Sequence, residues 1–298
     1  MAAMVKISVI VPVYGAEEYI EKCARSILGQ SWENTEFIFV DDGTPDRSVE
    51  VLRSVLTSFP DRKVLVIEKE NGGAPLARQK GLEAASGDYI LFADADDFLE
   101  PDMVEKLALA AVEAHADVAY CGFYKGARVC RERLFSSGKE FSREMLHYRT
   151  YGYLWNKLLR RSLFDGRYAC PRYGMHDDMV LLCQILPGAG KLVRVDEPLY
   201  HYRCDNAASI SHRRKALRDA ESARNFLSMM RFWEGKEEVP FQESLPLLYA
   251  RAAWAAYRYD RSILVDFPEL SAHLLALTSA PEHPLRFWRV KRWLRLAK

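Results

Sequence analysis

The chain has 298 residues, 49% of them apolar and 28% charged, with 42 basic against 41 acidic side chains. A formal net charge of +1 leaves no bulk field to draw nucleic acid, so that partner class is set aside. No apolar run approaches the ~18 residues that cross a bilayer, the first residues carry no signal-peptide pattern, and the reading is a cytoplasmic protein.

In chain order, Ile7 to Val11 predicts a buried strand and Glu17 to Leu28 a helix. Phe37 to Val40 predicts a strand, Asp46 to Ser58 a helix, and Val64 to Ile67 a third strand. Pro75 to Ala85 reads as a helix with proline near its first position, where the missing N–H costs nothing. A fourth strand is expected at Tyr89 to Ala93, a helix at Pro101 to Ala114, and a fifth strand at Val118 to Phe123. Continuous rather than alternating apolar runs indicate strands covered on both faces, hence an α/β layer structure with a mostly parallel sheet. From about Arg128 to Arg203 the pattern is irregular, and from Arg213 it turns helical, over 213–233, 241–265 and 284–297. The organisation expected is one domain over 1–212, divided at about 115, followed by a helical region over 213–298. The six cysteines include no CxxC pair and read as reduced core thiols.

In open α/β sheets, ligands sit beyond the carboxyl ends of the strands. Three polar clusters fall there: Pro12-Val13-Tyr14, Asp41-Asp42-Gly43, and Asp94, Asp96 and Asp97. Like charges spaced so closely raise each other's pKa unless a cation holds them. A hard divalent ion, Mg²⁺ or Mn²⁺, suits such a site because it takes a few carboxylate oxygens and fills its shell with water and phosphate. The plainer alternative is an acidic loop that caps the next helix. Tyr14 can stack on a base, Asp42 can accept from a base or ribose, and Arg78, on the helix after Asn71-Gly72-Gly73, can pair with phosphate. A lid tyrosine and ordinary turn chemistry are the corresponding bland readings.

Together the ordered motifs Val9-Ile-Val-Pro-Val-Tyr14, Val40-Asp-Asp-Gly-Thr-Pro-Asp-Arg-Ser48, Asn71-Gly-Gly-Ala-Pro-Leu-Ala-Arg78 and Asp94-Ala-Asp-Asp97 resemble an inverting family 2 glycosyltransferase of the bacterial surface-polysaccharide type. The resemblance is strong over 5–115, thinner to about 212 and generic beyond. It implies a GT-A, Rossmann-like fold with a helical C-terminal extension, a nucleotide-sugar donor, UDP-linked by preference, and a divalent metal. It implies that Pro12, Tyr14, Asp42, Arg78, Asp94 and Asp96 face the donor nucleotide, with the metal on Asp96. Met175-His-Asp-Asp-Met179 resembles the family's Glu-Asp pair, which makes Asp178 the candidate general base and Asp177 its neighbour; helix capping is the alternative. By the same resemblance Asp97, Trp155, Lys157, Asp177, His201 and Arg203 are expected on the acceptor or phosphate side. Gly15, Gln79 and Asp177 depart from the commoner Asn, Asn and Glu, which leaves the donor's identity open. The acceptor implied is a glycan or lipid-linked hydroxyl.

Two other classes compete. A sugar nucleotidyltransferase would carry a glycine-rich basic loop after the first strand, where this chain has Pro12-Val-Tyr-Gly-Ala16. A non-catalytic nucleotide-sugar-binding protein would not need Asp94, Asp96, Asp97 and Asp178 together. Finally, residues 284–298 mix six cations with Phe287, Trp288 and Trp293, a composition suited to an anionic membrane surface and a peripheral location at its inner face. A terminal helix packed on the body is the alternative.

Overall fold

The computed structural model describes residues 4–165, 168–206, 214–236 and 239–270, and the basic aromatic segment at 284–298 therefore lies outside the described residues. The first half alternates strand and helix: β1 (Ile7–Val13), α1 (Ile20–Leu28), β2 (Thr35–Asp41), α2 (Ser48–Leu56), β3 (Lys63–Glu68), α3 (Ala74–Ala84) and β4 (Tyr89–Phe92). Next come β5 (Phe98–Leu99), α4 (Met103–Glu113), β6 (Val118–Lys125), β7 (Arg128–Cys130), α5 (Gly138–Leu146), β8 (Lys157–Arg160), α6 (Asp177–Ile185) and β9 (Leu192–Tyr202). The described part ends with α7 (Lys215–Trp233), α8 (Leu245–Arg258) and α9 (Ile263–Asp266).

The sheet runs β3-β2-β1-β4-β8-β6-β9-β5, with β7 paired beside β6. Strands β1 to β4 are mutually parallel, as their apolar runs imply, and β6 pairs in parallel with β9. β8 enters antiparallel between β4 and β6, through Leu91–Leu158 and Ala119–Leu158 registers. That strand lies in the stretch whose sequence reads as irregular, because only Leu158 and Leu159 separate two cationic ends.

Both faces of the sheet are covered. Ile7, Val9, Val11 and Val13 pack with α1 and α4 side chains in one core, while Ile10, Ile38, Ile90 and Phe92 join the other. Helix α1 buries Ile20, Cys23, Ala24, Ile27 and Leu28 along one stripe. Each such aliphatic side chain contributes ~1.5–3 kcal/mol by leaving water. Helices α7 and α8 share the second core with α6, through Phe226, Leu227, Leu248 and Ala252 against Val180 and Leu181. Cys23, Cys121, Cys130 and Cys183 are buried thiols as expected, Cys170 is half-buried, and Cys204 is exposed. Among the described residues no helix is long and apolar enough to cross a membrane.

Helix α3 carries Arg78 and sits tightly on the strands, because a Cβ at Gly81 would come within 2.4 Å of the Ile10 side chain and 3.3 Å of Val40. Overpacking of this kind costs ~1–3 kcal/mol. Gly81→Ala should therefore lower unfolding free energy by about that amount in urea titration, and an unchanged midpoint would show that α3 can slide off the sheet at no cost.

Candidate active site

The carboxyl ends of β1, β2 and β4 open onto a common edge. Tyr14 stands there with 53% of its surface exposed, next to Gly15, whose φ of +61° suits a residue without Cβ. The loop after β2 is stapled to it: Gly15 N–H donates to Thr44 Oγ1 at 2.9 Å, Ala16 N–H to Ser48 Oγ at 2.9 Å, and Glu17 N–H to Asp46 at 3.0 Å. Burial raises the Asp46 pKa, but hydrogen bonds from Ser48, Thr44 and the backbone outweigh it and hold the carboxyl below its usual range. Thr44, Asp46 and Ser48 thus shape the rim, a role the sequence signals only as turn chemistry.

Asp42 is buried and already engaged. Oδ1 accepts from Gly72 N–H at 3.0 Å and from the Lys69 ammonium, and Oδ2 accepts from Gly73 N–H at 2.7 Å. Gly43, at φ +66°, lets its backbone approach Asn71, where a Cβ would lie 2.9 Å from the amide nitrogen. Asp42, expected from the sequence to face the nucleotide, anchors the 69–73 loop through these bonds.

The acidic loop after β4 is held from β9. Tyr200 donates to Asp97 Oδ2 at 2.8 Å and accepts from Asp94 N–H at 3.1 Å, while Arg203 N–H donates to Asp97 Oδ1 at 2.7 Å. The Arg203 guanidinium reaches the Asp96 carbonyl at 3.0 Å and covers the Tyr19 ring at 4.9 Å. Asn206 donates to Asp96 Oδ2 at 2.8 Å. Burial, then the charges of Asp94 and Asp96, push the Asp97 carboxyl well above its ordinary range, and burial with the Asp94 charge raises Asp96. Tyr200 and Asn206 carry no signal in the sequence, since their partners Asp97 and Asp96 lie more than a hundred positions earlier.

Arg78 joins the two acidic segments. Its guanidinium donates to Asp94 Oδ1 at 2.8 Å and to Asp177 Oδ2 at 2.6 Å, and lies 3.1 Å from Asp178 Oδ1. Burial alone would lower its pKa, but Asp178, Asp177 and Asp94 more than reverse that. Arg78 therefore faces three carboxylates. Burial raises Asp177 and Asp178, in the first case with the Asp178 charge, while Arg78 opposes the rise in both. Asp178 Oδ2 also accepts the Leu154 N–H at 3.1 Å.

Three other residues expected on the acceptor or phosphate side are held by partners within the fold. Lys157 is 0% exposed, and its ammonium donates to Tyr153 O at 2.8 Å and Asn156 Oδ1 at 2.7 Å, 3.7 Å from Glu132. Through those bonds it supports the 151–155 segment. Trp155 is buried between Tyr153 and Tyr200, with ring centroids 4.6 and 4.2 Å away. His201 points away from the acidic loop: it stacks between Phe98 and Tyr124 and bonds Glu100 at 2.6 Å. The period-two alternation of a strand explains this, since Tyr200 and Tyr202 take the face toward Trp155.

The sequence matches Glycosyl transferase family 2 over residues 8–168, a stretch that ends before Asp177 and Asp178. The glycosyltransferase EpsJ of Bacillus subtilis (strain 168) is 34% identical over 218 residues, which cover 66% of this chain and 60% of EpsJ. The chain thus spans less than two thirds of that relative's length. Among solved structures, residues 1–349 of S. aureus TarS, in complex with UDP-GlcNAc, superpose with a TM-score of 0.62 at 18% identity, covering 98% of this chain and 92% of that one. The mannosyltransferase PcManGT from Pyrobaculum calidifontis, in complex with GDP-Man and Mn²⁺, gives 0.58 at 18% identity, covering 99% and 81%. At that identity the likeness speaks for the fold.

A carboxyl whose folded pKa is raised contributes stability that is present below its unfolded value and lost as pH rises through the folded one. Removing Arg78 therefore strands the aspartates most when they are ionised. Arg78→Met should cost ~3–5 kcal/mol at pH 8 and clearly less at pH 5, read by denaturant unfolding at both values; an equal loss at the two would show that packing, not charge, dominates.

Proposed function

The chain belongs to glycosyltransferase family 2, and from that premise we propose that it moves a sugar from a nucleotide-sugar donor, UDP-linked by preference, to a hydroxyl of a glycan or lipid-linked acceptor in surface-polysaccharide synthesis. The observation that carries this reading is the Arg78 bridge, which sets the Asp94 loop beside the Asp177–Asp178 pair. An inverting displacement requires a base for the acceptor hydroxyl on one side and, on the donor side, groups that hold the positive charge which stabilises the departing diphosphate.

In this reading Asp178 takes the acceptor hydroxyl's proton as that oxygen attacks the anomeric carbon, and the bond to the diphosphate breaks with inversion. A base whose pKa lies above the usual carboxylate range is better matched to neutral pH. The Leu154 N–H at 3.1 Å and Arg78 orient its carboxylate. Tyr14 offers an exposed ring to the base, and Arg203 lies beside the acidic loop where diphosphate charge would fall.

The residues fit a divalent ion of Mg²⁺ or Mn²⁺ type. Asp96 and Asp94 stand close enough for the Asp94 charge to raise the Asp96 pKa, a repulsion that a cation relieves. Among the described residues no three acidic, His or Cys side chains form a cage. Such an ion would take one or two carboxylate oxygens and draw the rest of its shell from diphosphate and water. When bound, it supplies charge neutralisation on the departing diphosphate.

Release of nucleoside diphosphate from a panel of nucleotide sugars, with an acceptor glycan and with Mn²⁺, Mg²⁺ or EDTA, tests the reading. Asp178→Asn should lose ~10²–10⁴-fold in kcat with nucleotide affinity retained, and Asp96→Ala should lose the metal-dependent part of that affinity. The acid limb of kcat/KM should fall above the ordinary carboxylate range of ~4, because the free enzyme's base is raised. Undiminished transfer by Asp178→Asn would remove it as the base, and pyrophosphate-linked exchange in place of transfer would point to a nucleotidyltransferase.

A further inference from the structure

The loop that delivers Asp177 and Asp178 is clamped at Ala169 by Gln184 of α6, and over its last residues, 173–176, it is fastened by α7. Asn225, 1% exposed, donates from one amide nitrogen to Tyr173 O at 2.7 Å and Met175 O at 2.9 Å, while its Oδ1 accepts the Tyr173 N–H at 3.3 Å. One turn earlier, Ser222 Oγ meets His176 Nδ1 at 2.7 Å, and Phe226 packs on the same imidazole with centroids 5.6 Å apart. Residues 222, 225 and 226 share one helix face by their i, i+3, i+4 spacing. That face is turned to the loop.

The junction it holds is unusual. His176 precedes α6 at φ +60°, ψ +22°, a left-handed conformation uncommon for non-glycine residues, histidine being one of those that enter it more readily. Its side chain makes no capping bond to α6, so the start of the helix is set by the direction in which the chain leaves His176. The next two residues are the acidic pair. Without Asn225, two carbonyls and an N–H would lose their partners, and the loop would have to turn toward other donors.

We propose that Asn225 is a positioning residue for the base: by holding the Tyr173 and Met175 backbone it fixes the left-handed turn at His176 and hence where Asp178 points. Ser222 is its auxiliary. This rests on Asp178 being the base, and it gives α7 a part in the reaction although it lies outside the stretch that matches the family.

The test uses the full chain and three measurements on Asn225→Ala and on the milder Ser222→Ala. Amide hydrogen exchange over 173–180 should rise at least about tenfold in Asn225→Ala while β1 and β2 stay protected, with a smaller rise in Ser222→Ala. With a turned-over donor, kcat should fall about 10- to 100-fold for Asn225→Ala, since a small displacement of a reacting group costs that much. Donor KM and calorimetric nucleotide affinity should stay within about twofold, because the donor edge is built elsewhere. Unchanged exchange at 173–180, a uniform rise across the chain, or a kcat within about twofold of wild type would each overturn the proposal. Absence of turnover in the wild type would instead strike the enzymatic reading, and the exchange pattern would still decide whether Asn225 holds the loop.

Discussion

The site depends on one buried cation. Arg78 touches Asp94, Asp177 and Asp178 at once, and no second cation joins those contacts among the bonds that define the cluster. A single guanidinium cannot neutralise three carboxylates, and Asp96 and Asp97 add to the excess nearby. Even with Arg203 beside Asp96, the site holds more carboxyl groups than cations before any ligand arrives. The cost is visible in the raised carboxyls of Asp96, Asp97, Asp177 and Asp178, each driven first by burial. A fold does not accumulate such groups for stability, since apolar residues of similar volume would serve better. Held instead as a poised anionic cluster, they favour whatever brings positive charge, and they keep at least one carboxylate proton-avid near neutrality.

Much of this is legible in the amino-acid sequence, and the dividing line is physical. Strands β1, β2 and β4 announce themselves because both faces are covered, so most of their positions are apolar. Asp42 and Asp94 to Asp97 are found because they terminate those runs at the edge where ligands bind. His201 is not readable in the same way. Whether a strand residue faces the acidic loop or the opposite side is decided by register against β5 and β6, which pairs His201 with Phe98 and Tyr124. Lys157 misleads for a related reason: beside Trp155 it looks like a surface lysine, yet its partner Glu132 lies twenty-five positions earlier and meets it only through the fold. Asn225, a polar residue in the middle of a helix, gives no signal until its bonds to Tyr173 and Met175 are seen.

Carboxylates serve here in two capacities that sequence reading does not separate. Asp42 and Asp46 accept backbone and hydroxyl donors and so act as fixed anchors for the loops that surround the nucleotide edge. Asp94, Asp96 and Asp177 are held by side chains that a ligand can displace or compete with, whereas Asp178 has both the Arg78 guanidinium and the Leu154 N–H. The same motif therefore supplies both wall and working group. The distinction lies in the donors: amide N–H groups belong to the chain path and stay, whereas a guanidinium or carboxamide can be exchanged for substrate.

The two halves of the proposed chemistry are supported by different parts of the chain. The donor edge is braced locally, by the loops after β1, β2 and β4 and by β9 folding back through Tyr200 and Arg203. The Asp177–Asp178 pair is braced from α7 and, through Leu154, from the segment resting on Lys157. Only Arg78 crosses from one to the other in the side-chain bonds described above. If a diphosphate competes for that guanidinium, the pair loses its principal counter-charge while Leu154 and the α7 contacts continue to fix its position. Donor binding would then raise the proton affinity of a base whose geometry does not change, which is the condition a base needs at the moment an acceptor hydroxyl arrives.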